Sequence, residues 1–129
     1  TLCRAYEVFG DERYRDAARR AADAVWSFGL LRKGHGVCHG IAGSALSLLA
    51  MYRTTGNERY RYRALRMCEA TWSERCLAVI GQSHDPQRYR PGVPDLPYSL
   101  MEGKAGLLYA YIAMQCPQQG TFPGYESAI

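Results

Sequence analysis

One stretch of this sequence occurs twice. Tyr6-x-x-x-Gly10-Asp11-Glu12-Arg13-Tyr14 returns 46 residues later as Tyr52-x-x-x-Gly56-Asn57-Glu58-Arg59-Tyr60. In the same ungapped register Ala18 matches Ala64, Ala24 matches Ala70 and Trp26 matches Trp72. A fixed period of this size marks an architecture in which one supersecondary unit is copied and stacked on the next. Each copy reads as a helix end, a turn and a new helix. Gly10 and Gly56 fall where a helix stops, because glycine takes the left-handed C′ conformation without a steric penalty. Asp11 and Asn57 follow as N-caps, and each is succeeded by an acidic first turn.

The helices come in two kinds. Tyr14, Ala17, Ala18, Ala21, Val25 and Phe28 recur at helical spacing, as do Tyr60, Ala64, Met67, Cys68 and Trp72, with Arg and Glu between them. These are amphipathic helices with one wet face. Alternating with them are two nearly uniform apolar stretches, each opened by Gly-x-Ala-Gly: Gly40-Ile41-Ala42-Gly43 and Gly103-Lys104-Ala105-Gly106. A helix apolar all round is buried on both sides, and small residues in its first turn admit another backbone or a ligand. Four main helices are expected, over Asp11–Phe28, Gly40–Thr54, Asn57–Cys76 and Gly103–Gln115. The fold class is therefore all-α: part of an (α/α) toroid or barrel of alternating inner and outer helices, or else a linear solenoid. In a ring the N-termini of the two dry helices converge, and Arg13, Arg15, Arg59 and Arg61 face water. Tryptophans and tyrosines at helical spacing are expected to pack between helices. Residues 79–97, with four prolines, form the one long loop.

Composition removes several function classes. The net charge is only +4, and most of the arginines lie beside Asp or Glu at ion-pairing distances along a helix, so a solvated face is expected and no nucleic-acid partner. The longest largely apolar run, Ile41 to Tyr52, is broken by Ser44 and Ser47 and falls short of the roughly 20 residues of a membrane span, so no transmembrane segment is expected. No basic region followed by an apolar stretch opens the chain, so no signal peptide is expected. Five cysteines are an odd number without scaffold spacing, which suits reduced thiols. The chain begins with Thr1 and in mid-repeat, and four helices cannot close a ring. It is read as residues 1–129 of the C-terminal portion of a single larger domain.

The strongest chemical signal is Gly34-His35-Gly36-Val37-Cys38-His39-Gly40. Cys and His are both zinc ligands, and two adjacent ones face a single metal only where the backbone turns, as at a helix entry. The helix N-terminus also favours a thiolate at Cys38. An incidental Cys-His pair is the plainer alternative, and two ligands fall short of the three that a catalytic zinc takes from protein. Glu102 heads the other dry helix at the position of His39. It is a candidate acid or base in the same cavity, or else a carboxylate matched to the helix dipole. His35 is expected at the surface, and His84, in the long loop, without a catalytic role.

The run from Leu30 to Gly43 closely resembles the lanthionine synthetase C-like (LanC-like) family, whose inner helix carries Gly-x-Cys-His-Gly-x-Ala-Gly. Pro94-Asp95-Leu96-Pro97-Tyr98-Ser99-Leu100-Met101-Glu102-Gly103-Lys104-Ala105-Gly106 resembles the terminal motif of that family, and Phe122-Pro123-Gly124-Tyr125 its closing residues. The resemblance implies an (α/α) barrel with zinc at its centre, held by two Cys and one His. Cys38 and His39 match the adjacent pair. The third ligand belongs to a motif on the preceding inner helix that this chain lacks, and none of Cys3, Cys68, Cys76 or Cys116 occupies a matching position.

The family uses zinc to lower the pKa of a thiol, which adds to dehydroalanine or dehydrobutyrine. The wording of the motifs is similar to that of the eukaryotic branch, which binds glutathione and is linked to adding it to dehydrated Ser or Thr in proteins. Lys33 matches a glutathione-contacting Lys of that branch, and Asp95 matches an Arg-x-Pro-Asp stretch in which Arg90 is displaced by two residues. Cations there suit the glutathione carboxylates. The resemblance thus implies a zinc-dependent enzyme with glutathione and a dehydroamino-acid protein or peptide as partners. It implies a cytoplasmic location, with peripheral attachment at the plasma membrane left open. A rival reading is a non-catalytic glutathione-binding or signalling scaffold. A toroid glycosidase ranks last, because it needs paired carboxylates about 5 to 10 Å apart and only Glu102 and Asp95 are on offer.

Overall fold

The computed structural model describes residues 1–31, 33–79, 96 and 98–124. Six helices run through them: α1 (Leu2–Phe9), α2 (Glu12–Phe28), α3 (Ile41–Thr55), α4 (Glu58–Ala70), α5 (Glu74–Val79) and α6 (Lys104–Gln115). No strand occurs among the described residues, and no helix among them is long and apolar enough to cross a membrane. The loop expected over 79–97 lies almost wholly outside the described residues, and Arg90, Asp95 and His84 lie there with it.

The repeat is a repeated helix-turn-helix corner. Gly10 (φ 66°) and Gly56 (φ 65°) adopt the left-handed conformation and donate their N–H groups to the carbonyls of Tyr6 and Tyr52. Asp11 and Asn57 then cap α2 and α4, accepting from the backbone N–H groups of Arg13 and Arg59 at 2.9 and 3.0 Å. Two αα-hairpins result, α1–α2 and α3–α4, each reversing the chain within two residues.

The core is organised around α3, which packs on α1, α2, α4 and α6. Ile41, Ala42, Ala45, Leu48 and Leu49 are wholly buried. The charged faces of α2 and α4 lie outside, as the layer argument requires, since a charge on the inner layer would be desolvated without a partner. Arg13, Arg59 and Arg61 are exposed, and Arg15 is half-buried against the Tyr6 ring. Asp23 of α2 accepts from Arg59 and Arg63 of α4 at 2.7 and 2.6 Å, and Arg63 also covers the Trp26 ring, so the outer helices are tied to each other.

Four expectations need correction. The helix expected over Asn57–Cys76 breaks after Ala70. The Thr71 hydroxyl and N–H both turn back to the Cys68 carbonyl, and Ser73 Oγ accepts from Cys76 N–H to start α5 afresh. α6 is not buried on both sides, for Leu108 and Ile112 stand about 60% exposed on a face that no described residue covers. The apolar face of α2 is only partly covered: Ala18 and Ala22 are buried, Val25 half-buried and Phe28 exposed. Trp26 and Trp72 are exposed rather than packed inside, and each works as a contact plate for a cationic or aromatic neighbour.

Candidate functional site

Two glycine-rich loops meet at one end of the inner layer. Residues 34–40 lead into α3 and residues 98–103 lead into α6, and Cys38 N–H donates to the Met101 carbonyl at 2.8 Å across the junction. The approach is closer than any side chain permits. A Cβ placed on Gly36 would sit 2.3 Å from the Met101 carbonyl oxygen and 2.5 Å from Glu102 Cα, and one on Gly106 would sit 2.4 Å from the Leu100 oxygen. The N-termini of the two dry helices therefore converge, and glycine is what lets them.

The loop before α3 folds back over the helix start. The carbonyls of Gly34, His35 and Gly36 accept from the N–H groups of Ile41, Ala42 and Gly43. These are the first-turn donors that a helix otherwise leaves without a partner. They were expected to favour a thiolate at Cys38, but the backbone of the loop takes them instead.

Each expected site residue can now be placed. Cys38 is exposed, on the turn itself. His39 follows it, half-buried. Glu102 is half-buried across the junction, its N–H donating to Ser99 Oγ at 3.2 Å, in the turn that delivers Gly103 to the head of α6. Lys33 is half-buried at the start of the loop. The structure thus brings Cys38, His39 and Glu102 to one end of the fold through their backbones. Among the described residues no group of three or more His, Cys, Asp or Glu side chains is placed to hold a metal ion.

His35 departs from its expected surface position. Its ring is half-buried and stacks on Trp72 with centroids 6.5 Å apart, and its Nε2 is sealed from solvent without a hydrogen-bond partner. Burial pushes its pKa below the usual histidine value, and the Lys104 charge adds to the effect. Lys104 itself lies 5.9 Å from the centre of the Tyr98 ring.

A cavity of about 820 Å³ opens beside the turn, lined by Cys38 together with Cys3, Val25, Met51 and Phe122. The lining is largely apolar. Phe122 reaches it because the segment after α6 folds back: the Tyr109 hydroxyl donates to the Thr121 carbonyl at 2.9 Å, and Arg53 donates to the Gly120 carbonyl. No local pattern announces Met51 or Phe122 as cavity residues, although Phe122 lies in the closing motif. The thiols differ by burial: Cys38 and Cys116 are exposed, whereas Cys68 is wholly enclosed and its pKa is pushed up to about 12 by desolvation.

Repeated αα-hairpins, a dry inner layer and glycine-rich inner-helix entries that dock on each other define the class: a segment of an α/α ring protein whose candidate chemistry sits at the inner-helix entries. More particularly, the chain belongs to the lanthionine synthetase C-like family, whose description matches residues 1–127. It is 36% identical over 125 residues to a Danio rerio protein named glutathione S-transferase LANCL1, a match covering 97% of this chain and 28% of that protein. It is 34% identical over 127 residues to the Arabidopsis thaliana LanC-like protein GCL1, covering 98% of this chain and 27% of that one. The chain thus spans little more than a quarter of the length of either relative.

Proposed function

We propose that the protein carrying this chain is a zinc-dependent LanC-like enzyme that binds glutathione and adds its thiol to dehydroalanine or dehydrobutyrine in a protein or peptide. In this reading the chain is the C-terminal portion of a single domain. The observation that carries the proposal is the exposed Cys38 beside His39, on a turn joined to the second glycine-rich motif by the bond from Cys38 N–H to the Met101 carbonyl. The name of the Danio rerio relative supports glutathione as the thiol.

The donor chemistry fits zinc in part. A thiolate sulfur and an imidazole nitrogen are both ligands that zinc accepts, and Cys38 and His39 would hold it, with a third ligand from the motif that this chain lacks. Held there, zinc would supply the lowered thiol pKa that gives a nucleophile near neutral pH. The remaining work falls to this chain. Lys33 and Arg90 are suited to the glutathione carboxylates, and Asp95 to the peptide N–H or ammonium groups of the tripeptide. Glu102 is suited to hand a proton to the carbon left carbanionic once the thiol has added to the double bond. The largely apolar cavity beside Cys38 is suited to apolar side chains of the protein or peptide substrate.

The test uses the full-length protein, glutathione and a dehydroalanine peptide, read by mass. Formation of the glutathione adduct, with loss of both adduct and bound zinc in Cys38→Ala and His39→Ala, is the expected result. Glutathione binding without adduct would instead establish the scaffold reading, in which the fold binds the tripeptide and turns nothing over.

A further inference from the structure

We propose that His35 is a positioning residue for the Cys38–His39 turn, acting through the stack of its ring on Trp72 at the end of α4. The inference rests on the reading of that turn as the working site. Gly34 and Gly36 carry no side chain and Val37 is buried in the core, so His35 supplies the only side chain of residues 34–37 that reaches outside it. Its carbonyl is fixed by Ala42 N–H at 3.3 Å, between the parallel bonds from Ile41 and Gly43. Its ring lies on Trp72, whose indole N–H donates to Tyr111 Oη of α6 at 2.9 Å. One continuous line of contacts therefore runs from α6 through Trp72 and His35 to the backbone that starts α3, and Cys38 and His39 sit inside the arc it fixes.

The ring stacks on Trp72 by its face, and its Nε2 has no hydrogen-bond partner and is sealed from solvent. At Nε2 there is thus neither a hydrogen bond nor a solvent route for a proton. The stack gives the proposal a sharp signature, because an aromatic ring without nitrogens should serve equally well. Groups that orient a metal ligand without touching the metal change its affinity by about 10- to 100-fold when removed.

The experiment compares full-length wild type, His35→Ala, His35→Phe and Trp72→Ala in two measurements. One is the alkylation rate of Cys38 by iodoacetamide in metal-free protein, mapped by peptide mass. The other is the zinc dissociation constant by chelator competition. In His35→Ala and Trp72→Ala zinc should weaken about tenfold, the low end for such partners, and Cys38 should alkylate at a changed rate. His35→Phe should restore both values. Trp72→Ala leaves the loop sequence intact, so it decides the matter even where His35→Ala fails to fold. Wild-type behaviour in both alanine variants overturns the proposal, and so does a His35→Phe variant that behaves like alanine. Wild type that takes no zinc overturns the proposed function instead, and the alkylation rates still decide the role of His35.

Discussion

The hairpins α1–α2 and α3–α4 share a turn and differ in burial. Gly10 and Gly56 agree to within 2° in φ and ψ, and Asp11 and Asn57 cap in the same way. Yet α1 contributes no buried residue, whereas α3 contributes eight. The repeat register pairs Leu2 with Leu48, and Leu2 is half-buried while Leu48 is wholly enclosed. The turn is decided by hydrogen bonds spanning a few residues, so the same sequence makes it again wherever it occurs. Burial is decided by how many other elements surround a helix, and α3 has α1, α2, α4 and α6 around it.

The comparison can be broken most forcefully at its paired leucines. Leu48→Ala should cost about 3 kcal/mol, from lost transfer energy plus the cavity left in a closed site. Leu2→Ala should cost about 1 kcal/mol, since less apolar area is withdrawn from water there. Urea midpoints of the two variants check the ratio, and equal losses would mean that α1 is as much a core helix as α3.

The caps sharpen the comparison next. Asn57→Ala should remove about 1 kcal/mol at any pH, because an amide does not titrate. Asp11→Ala should behave differently. The side-chain hydrogen bonds from the Arg13 guanidinium, with the bond from its backbone N–H, hold the Asp11 carboxyl below the usual carboxylate range. Its contribution is therefore present above the unfolded pKa of about 3.9 and is lost as pH falls through the lower folded value. Thermal melts of wild type and Asp11→Ala should converge at acid pH, while those of Asn57→Ala remain offset.

The smallest effect is expected at Asp23, which joins the two outer helices. Hydrogen bonds from Arg63 lower its pKa first, with the charges of Arg59 and Arg63 adding to them. The side chain is about half exposed, so solvent screens the pairs and Asp23→Asn should cost a few tenths of a kcal/mol, less in high salt. A loss above about 1 kcal/mol that persists in 1 M salt would make the α2–α4 bridge a structural clamp rather than a surface network.

Much of the site was legible because its signals are local. Gly-x-Ala-Gly at the heads of α3 and α6 foretold a close approach, and Gly36 and Gly106 lie where any Cβ would collide with the facing backbone. The exposure of Cys38 and the adjacency of His39 follow from a glycine-flanked turn. His35 was misplaced because its burial depends on Trp72, 37 positions away, whose ring was itself expected to pack inside. The end of α4 was misread for a related reason. Thr71 and Ser73 are ordinary helix-surface residues by pattern, and only their hydroxyl bonds to Cys68 and Ala70 reveal the break.

By itself the sequence determined the turns, the caps, the alternation of wet and dry helices and the position of the Cys38–His39 pair. All of these depend on interactions that close within one or two helical turns. The tertiary structure alone decided that His35 stacks on Trp72 and that the Trp72 indole N–H reaches the Tyr111 hydroxyl of α6. It also decided that Leu108 and Ile112 stand exposed on a helix as apolar as α3, and that Phe122 lines the cavity beside Cys38. The reason is physical: a hydrogen bond between near neighbours is fixed by the chain, whereas burial and docking belong to surfaces that meet only once the whole chain has folded.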